Sequence, residues 1–320
     1  MLKKVIPIFI ISILFILNSC QYFSLIDYKE WCENNGRTPA FVFRNGEVRT
    51  TKTLMNQIEI VAVEGNWPQP DEFVTGPVLL QGRYVYLSDF YIGKYEITYE
   101  QWTEVRTWAL SNGYFNISAG GDSNGYPVIK ISWNDIMVWC NALSEKEGLI
   151  PCYTYIGNII RNASDTTACN NSVFTIINSG YRLQTEAEWE FAARGGTLSK
   201  KYIFPGSNDR NQSGWYYENA GAVKAVGKKI ANELGLYDTY GNVWEKCTDW
   251  NSTITPGITE INPTGPPSDV STLFHRSRVG EGIWDSSGGV FPTPYEHRNI
   301  SVSTDINDDT GFRVTRTKTE

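Results

Sequence analysis

The side chains best suited to chemistry in this sequence are six cysteines and two histidines. No cysteine follows Cys247, and the histidines are His275 and His297. A structural zinc site needs clustered Cys and His ligands, and a serine–histidine hydrolase needs a nucleophile motif, so the sequence predicts neither. We expect each histidine to be a hydrogen-bonding group of a loop or of the surface.

Cys20 is the cysteine whose surroundings indicate a reaction. Two lysines precede an apolar run of 13 residues, 5–17, and the sequence Leu17-Asn18-Ser19 leads directly into Cys20. This pattern predicts a signal peptide over residues 1–19, because a membrane-spanning helix needs about 20 apolar residues. The pattern also resembles the bacterial lipobox, whose cysteine is acylated; an ordinary cleaved signal peptide is the alternative. We therefore expect a lipoprotein of the cell envelope, anchored to a membrane outside the cytoplasm.

The net charge argues against nucleic acid as a partner. The formal charge is −7, and it becomes −9 without residues 1–19, because that segment carries two lysines and no acid. Nucleic-acid-binding domains carry a basic patch, and none stands out here. The 41% hydrophobic and 13% aromatic content is sufficient for a globular core.

The cysteines after Cys20 raise the question of a disulfide. Five remain, and an odd number cannot all pair within one chain. Cys152 and Cys169 bracket a segment rich in Asn, Ser and Thr, and a bridge between them would close this loop in an oxidising compartment. The sequence predicts this pair, although spacing alone leaves other connectivities open.

The chain divides into a lipidated tether over residues 20–57, with a small ordered patch, and one domain over residues 58–318. This domain has short strand patterns, and irregular stretches of 20–40 residues lie between its predicted helices. Three capping boxes predict its main helices, which begin after Thr98 (with Gln101), Ser132 (with Asp135) and Thr185 (with Glu188). The second helix is expected to stop near Gly148 and the third at Gly195.

Five sequence blocks in this domain read together as one family. They cover residues 87–102, 127–144, 180–196 and 232–245, and the last is Gly311-Phe312-Arg313-Val314. Together they resemble the formylglycine-generating, or sulfatase-modifying factor, family, with Gln184 where the family usually has proline. The resemblance implies an α+β fold of the C-type-lectin-like kind, with short strands, about three main helices and little regular secondary structure.

The resemblance implies a calcium site in the fourth block. Its ligands would be the side chains and backbone carbonyls of Asp238, Gly241, Val243 and Glu245, and hard calcium favours such oxygen donors. A second family calcium site aligns with Asn219, but its other ligands cannot be placed. The alternative for Asp238 and Glu245 is pairing with arginines such as Arg182 or Arg194.

The catalytic cysteine pair of the family is missing. In formylglycine-generating enzymes two cysteines near the C-terminus hold Cu(I), which needs soft thiolates. Here those positions fall near Ser286 and Phe291, so no copper is expected. Related iron enzymes use three histidines, and this chain has two. We assign no catalytic residue.

A groove is the remaining candidate site. The resemblance implies that the C-terminal loops line a cleft, which binds peptide in the family's enzymes, and aromatic and arginine side chains are typical of binding surfaces. The expected groove residues are Trp284, Phe291, Tyr295, His297 and Arg298. The alternative is that these rings fill the core.

The function predicted from these residues is a non-catalytic module that binds a protein, peptide or glycan. Two alternatives stay open: an oxidoreductase of the same family that acts without cysteines, and a purely structural envelope component.

Overall fold

The structure, a computed structural model, describes residues 51–53, 58–66, 77–266, 275–283 and 298–318. All of them belong to the unit formed by residues 46–320. The predicted signal peptide, Cys20 and most of the tether lie outside the described residues. Among the helices that are described, none has the length and apolar character needed to cross a membrane.

Three of the helices are those predicted from capping boxes. In the described residues, α-helices comprise α1 Tyr99–Ser111, α2 Trp133–Lys146, α3 Thr166–Asn170, α4 Glu186–Ala193, α5 Arg210–Ser213 and α6 Tyr217–Ala220. The predicted helices are α1, α2 and α4, and the short α3, α5 and α6 were not predicted. Helix α4 ends just before Gly195, which adopts a left-handed conformation, as glycine does at many helix ends.

The capping side chains act at the helix starts as predicted. The backbone N of Asp135 donates to Ser132 Oγ at 3.0 Å, and the N of Glu188 donates to Thr185 Oγ1 at 3.1 Å. At α1 the backbone N of Thr98 donates to Gln101 Oε1 at 3.0 Å. These bonds satisfy backbone groups that a helix start leaves without partners.

The strands are short and form four small sheets. Their bounds are β1 Thr51–Thr53, β2 Glu59–Val63, β3 Val78–Leu80, β4 Arg83–Tyr86, β5 Phe90–Gly93, β6 Tyr153–Tyr155, β7 Asn158–Ile159, β8 Val173–Phe174, β9 Arg182–Leu183, β10 Trp244–Trp250, β11 Thr259–Ile261, β12 His275–Val279, β13 Arg298–Val302, β14 Thr310–Gly311 and β15 Val314–Thr317. The sheet orders are β1-β2-β5-β15-β9, β13-β12-β10-β14, β11-β4-β3 and β7-β6-β8. The mixture of helices and small sheets confirms the predicted α+β class.

The last two described strands pair with segments that are distant in the sequence. Strand β15 pairs antiparallel with both β5 and β9, and β14 pairs parallel with β10. Between them, Phe312 meets the Trp102 and Trp139 rings edge-on at centroid distances of 5.9 and 5.5 Å. Buried aromatic contacts of this kind add to the burial energy of the rings. This arrangement places Arg313 next to β5 and the start of β10.

Candidate functional site

The turn that leads into β10 holds the predicted calcium ligands. Asp238, Gly241 and Asn242 have positive φ angles of 54°, 77° and 62°. A Cβ atom on Gly241 would stand 1.9 Å from the carbonyl oxygen of Trp215, so glycine alone fits there. The backbone N of Asn242 donates to the same carbonyl at 2.8 Å. The turn is therefore locked against the segment before α6.

Glu245 forms a buried two-bond ion pair with Arg313. The Nε of Arg313 lies 2.7 Å from Glu245 Oε2, and its Nη2 lies 2.6 Å from Oε1. Two further Arg313 hydrogen bonds, from Nη1 and Nη2, reach the carbonyls of Gly93 and Tyr237, each at 3.0 Å. A guanidinium that makes four such bonds can hold a buried carboxylate in place.

The pairing partners considered from the sequence were different. Arg182 forms its ion pair with Glu188 at 2.7 Å, and Arg194 pairs with Glu190 at 2.6 Å. Glu245 does pair with an arginine, as the alternative in the sequence analysis expected. The arginine is Arg313, which lies 68 positions after Glu245 in the chain.

Glu96 is a fully buried member of the site to which the sequence analysis gave no role. Its carboxylate accepts from Asn242 Nδ2 at 2.7 Å and from the backbone N of Val243 at 3.3 Å. Burial raises the pKa of Glu96 well above its ordinary value, and the nearby carboxylates of Asp238 and Glu245 raise it further. The sequence signal that could have indicated a role for Glu96 is an acidic residue inside the strand-like sequence Lys94-Tyr95-Glu96-Ile97.

Asp238 has one engaged oxygen and one without a partner. Its Oδ2 accepts from the backbone N of Gly227 at 2.6 Å, while Oδ1 is buried and has no hydrogen-bond partner. Burial raises the pKa of Asp238 to about 6. Buried oxygens without a partner are costly, and they call for a proton, a water or a cation.

The residues present fit a cation only in part. Three buried carboxylates, those of Glu96, Asp238 and Glu245, lie around the single guanidinium of Arg313, and Asp238 Oδ1 is open. Both Glu245 oxygens are already held by Arg313. Within the described ranges, no three Asp, Glu, His or Cys side chains are arranged to hold a metal ion. A calcium ion here would need backbone carbonyls, such as those of Gly241 and Val243, as most of its ligands.

Asn219 has a local role at the start of α6. Its Oδ1 accepts from the backbone N of Tyr216 at 2.8 Å, and its Nδ2 donates to the carbonyl of Gly214 at 3.1 Å. The side chain thus stabilises the start of a short helix. The second calcium site implied by the resemblance stays a prediction.

The predicted disulfide between Cys152 and Cys169 is wrong, because both are free thiols in the structure. Cys152 Sγ points to the carbonyl of Gly180 at 3.4 Å, and Cys169 Sγ points to the carbonyl of Asn162 at 3.8 Å. The two ends of the polar segment are held by these separate contacts. Burial raises the pKa of Cys152 to about 11 and that of Cys169 to about 12.

Of the five expected groove residues, only Arg298 is described. Trp284, Phe291, Tyr295 and His297, like Ser286, lie outside the described residues. Arg298 forms an ion pair with Glu186 at the first position of α4, and its Nη1 donates to the carbonyl of Ser252 at 3.1 Å. Asp249 lies beside this pair and accepts from the backbone N of Glu186 at 3.0 Å. The buried acids at this place are a second cluster that sequence reasoning missed.

Comparison with known proteins identifies relatives of the domain. A relative named "Chaperone protein LppX" from Paenibacillus barcinonensis is 37% identical over 221 residues, which is 61% of this chain and 72% of that protein. The formylglycine-generating enzyme of Bos taurus is 27% identical over 158 residues, covering 45% of this chain and 32% of the enzyme. The chain thus spans about a third of the length of that enzyme.

Solved structures share the fold. Treponema denticola variable protein 1 superposes with a TM-score of 0.66 and 28% sequence identity, over 85% of this chain and all of that one. A structure titled CarF superposes with a TM-score of 0.64 over 82% of this chain and all of that one, at 24% identity. The family model for the "Sulfatase-modifying factor enzyme 1-like domain" matches residues 48–318. The chain therefore belongs to the sulfatase-modifying factor enzyme 1-like domain family.

Proposed function

We propose that this chain is an exported, lipid-anchored protein whose domain binds a partner protein and makes no formylglycine. The observation that carries the proposal is the cysteine distribution. The family's copper-binding positions fall near Ser286 and Phe291, and no cysteine follows Cys247. A hydroxyl and a phenyl ring cannot replace the thiolates that Cu(I) needs.

The described cysteines do not offer a replacement. Cys140, Cys152, Cys169 and Cys247 are all buried free thiols. Burial raises the pKa of each above its ordinary value, and for Cys140 and Cys247 it does so strongly. A reactive cysteine needs the opposite, a lowered pKa and access to solvent.

The class of partner is suggested by the relative named a chaperone. Its similarity extends over 72% of its length, so a role in assisting another exported protein is a reasonable extension to this chain. The groove residues Trp284, Phe291, Tyr295, His297 and Arg298 are the proposed contact surface, since aromatic and arginine side chains dominate binding energies. Calcium is the proposed structural cation at Asp238, and Cys20 is the proposed lipidation site.

The first experiment tests for catalysis. The full chain is incubated with a cysteine-containing sulfatase-motif peptide, Cu(I), a thiol and oxygen, and the peptide mass is measured. We expect an unmodified cysteine, with a family enzyme as the positive control. Conversion of the cysteine to an aldehyde would overturn the proposal and require a catalytic site elsewhere in the chain.

The second experiment tests for partner binding. Citrate synthase is diluted from denaturant with and without the full chain, and light scattering and recovered activity are recorded. We expect less light scattering when the chain is present at the same molar concentration as citrate synthase. Albumin at that concentration is the control. Equal scattering with the chain and with albumin would contradict a chaperone role.

A third experiment tests the lipid anchor. The mass of the N-terminal peptide of the membrane-bound protein reports acylation of Cys20, and an unacylated Cys20 would contradict the anchor.

A further inference from the structure

The tip of the β6–β7 hairpin has an unusual residue. Register pairs Tyr155 with Asn158, so the loop is the two residues Ile156-Gly157. Their φ angles are +47° and +75°, the sign that a type I′ turn requires at both positions. Such turns favour Asn-Gly or Asp-Gly, because a β-branched side chain is strained at positive φ.

Nothing in the hairpin itself requires isoleucine. Of the nine non-glycine residues with positive φ in the described part of the chain, Ile156 is the β-branched one. The β3–β4 hairpin has the same loop length and similar φ angles, +48° and +80°, with Gln81-Gly82 at its tip. Ile156 is nevertheless 76% exposed, so burial of its side chain does not offset the strain. Strained residues of this kind concentrate at functional positions.

Ile156 borders a surface cavity of about 480 Å³. Phe115, Tyr155, Ile159 and Ile160 line its apolar part, and this volume is typical of ligand pockets. Phe115 is 57% exposed, and its backbone N donates to the carbonyl of Arg161 at 2.8 Å. An exposed ring on a fixed backbone is suited to contact a partner.

The apolar surface continues onto the neighbouring strand. Thr154 of β6 pairs with Ile159 on one side and with Val173 of β8 on the other. Directly opposed residues of antiparallel strands project to the same side of a sheet. Val173, which is 58% exposed, therefore shares the face that carries Ile159. We name Phe115, Ile156, Ile159 and Val173 the hairpin face.

The charge around the hairpin face defines what it can bind. Residues 148–181 contain two charged side chains, Arg161 and Asp165, in a chain that is 20% charged. Arg161 is paired with Glu145 at 2.5 Å, and Asp165 Oδ1 accepts from the backbone N of Ala168 at 2.9 Å. Both side chains line the cavity, together with Asn158 and Asn162, but each already has a partner within the domain. A charged occupant would lose its hydration at the apolar side chains of this surface, whereas an uncharged apolar occupant matches Phe115, Ile156, Ile159 and Val173.

We propose that the hairpin face binds an uncharged, apolar segment of a partly folded exported protein. This inference rests on the proposed partner-binding function and names residues other than those of the C-terminal groove. Exposed apolar patches on soluble domains mark interaction sites. Ile156 is strained and faces solvent beside the cavity, and a contribution to the stability of the fold does not explain an isoleucine there.

The test uses a synthetic peptide of Leu, Thr and Ala, without charged residues, carrying a fluorophore and one benzoylphenylalanine. Anisotropy measures its binding to the full chain, and irradiation followed by mass spectrometry locates the crosslink. We expect crosslinks within residues 148–181 or at Phe115. Ile156→Asn should weaken binding about tenfold, and its melting temperature should equal or exceed that of the wild type, because Asn suits positive φ. The matched control is Ile306→Asn, at a site that is 63% exposed and outside this segment; it should leave binding unchanged.

Three outcomes would overturn the inference. Equal binding by the Ile156→Asn and Ile306→Asn variants, or crosslinks confined to residues 284–298, would show that the peptide binds elsewhere and would leave the partner-binding function intact. A wild-type chain that does not bind the peptide would also overturn it, and the citrate synthase assay then decides separately whether the proposed function survives.

Discussion

At the scale of single residues, the turn before β10 depends on a close backbone contact at Gly241. Gly241 passes the carbonyl of Trp215 so closely that a methyl group cannot fit. Asp238 and Asn242 take left-handed conformations on either side of it, which Asp and Asn tolerate better than most residues. The type of residue at each of these positions is therefore a consequence of backbone geometry.

Gly241→Ala should destabilise the domain more than an alanine at a comparable glycine. The left-handed conformation alone costs about 1–2 kcal/mol for alanine, and the overlap with Trp215 adds about 1–3 kcal/mol. Gly235 has a φ of 81°, and a Cβ atom there would meet no other atom within 4 Å, so Gly235→Ala provides the control. Denaturant unfolding measures both variants, and equal losses would show that the turn moves away from Trp215 freely.

Asp249 should make stability depend on pH. Burial raises its pKa well above the ordinary value and Glu186 raises it further, while Arg83 lowers it and Glu188 raises it to a smaller extent. Because the folded pKa lies above the unfolded one, this group stabilises the fold below about pH 4, and the contribution is lost as pH rises through the folded pKa. Asp249→Asn should therefore gain stability relative to the wild type as pH rises from 4 to 8, by at most about 1.4 kcal/mol per pH unit.

The measurement is urea unfolding at several pH values. Ser252→Ala, a nearby change that removes no titratable group, should keep the pH dependence of the wild type. A constant difference between Asp249→Asn and wild type across this range would mean that Asp249 keeps the same protonation state in the folded and unfolded chains.

At the scale of elements, the helices are determined locally and the sheets are not. Helices α1, α2 and α4 begin after the hydroxyl residues that the sequence analysis named, because a cap acts on backbone groups within one turn. The short strands pair across long sequence separations, as β15 does with β5. Their patterns, two to seven residues long, carry too little periodicity to indicate a partner.

Ser132→Ala should cost about 1 kcal/mol of folding stability, because it removes an acceptor at the start of α2, a helix with 12 buried residues of 14. Asp135 would lose its bond to Ser132 Oγ as well. Ser111→Ala, at the exposed end of α1, should change stability by less than about 0.5 kcal/mol. Thermal unfolding measures both variants. Equal shifts in melting temperature would mean that the Ser132 hydroxyl does not stabilise the start of α2.

At the scale of the whole molecule, the buried charges connect distant segments of the chain. Arg313, which follows β14, binds Glu245 of β10 and the carbonyl of Gly93 in β5, while Glu96 binds the turn at Asn242. Arg313 lies beside the acidic side chains of Glu96, Asp238 and Glu245, and Lys228 also acts on Asp238. A cation bound beside Asp238 would add a contact between these segments. Removing one member of a buried ion pair usually costs about 3–5 kcal/mol.

Calcium should raise the melting temperature if it occupies this place. At a hundredfold excess over the dissociation constant the gain is about 2.7 kcal/mol, and excess chelator should reverse it. Asp238→Asn should reduce the gain, because it removes the charge beside the open Oδ1 position. Magnesium at the same concentration controls for ionic strength, and a melting temperature that chelator leaves unchanged would contradict the calcium proposal.

What the sequence determined by itself is the family, the α+β class, the three capped helices, and the missing cysteine pair. These features are either local or read directly from residue identities. The tertiary structure alone decided that Arg313 and not Arg182 holds Glu245, that Glu96 joins the site, and that Cys152 and Cys169 contact different carbonyls. These contacts depend on which distant segments pack side by side. A buried charge or thiol interacts strongly with the partner beside it because water is excluded, and that burial exists only in the folded chain.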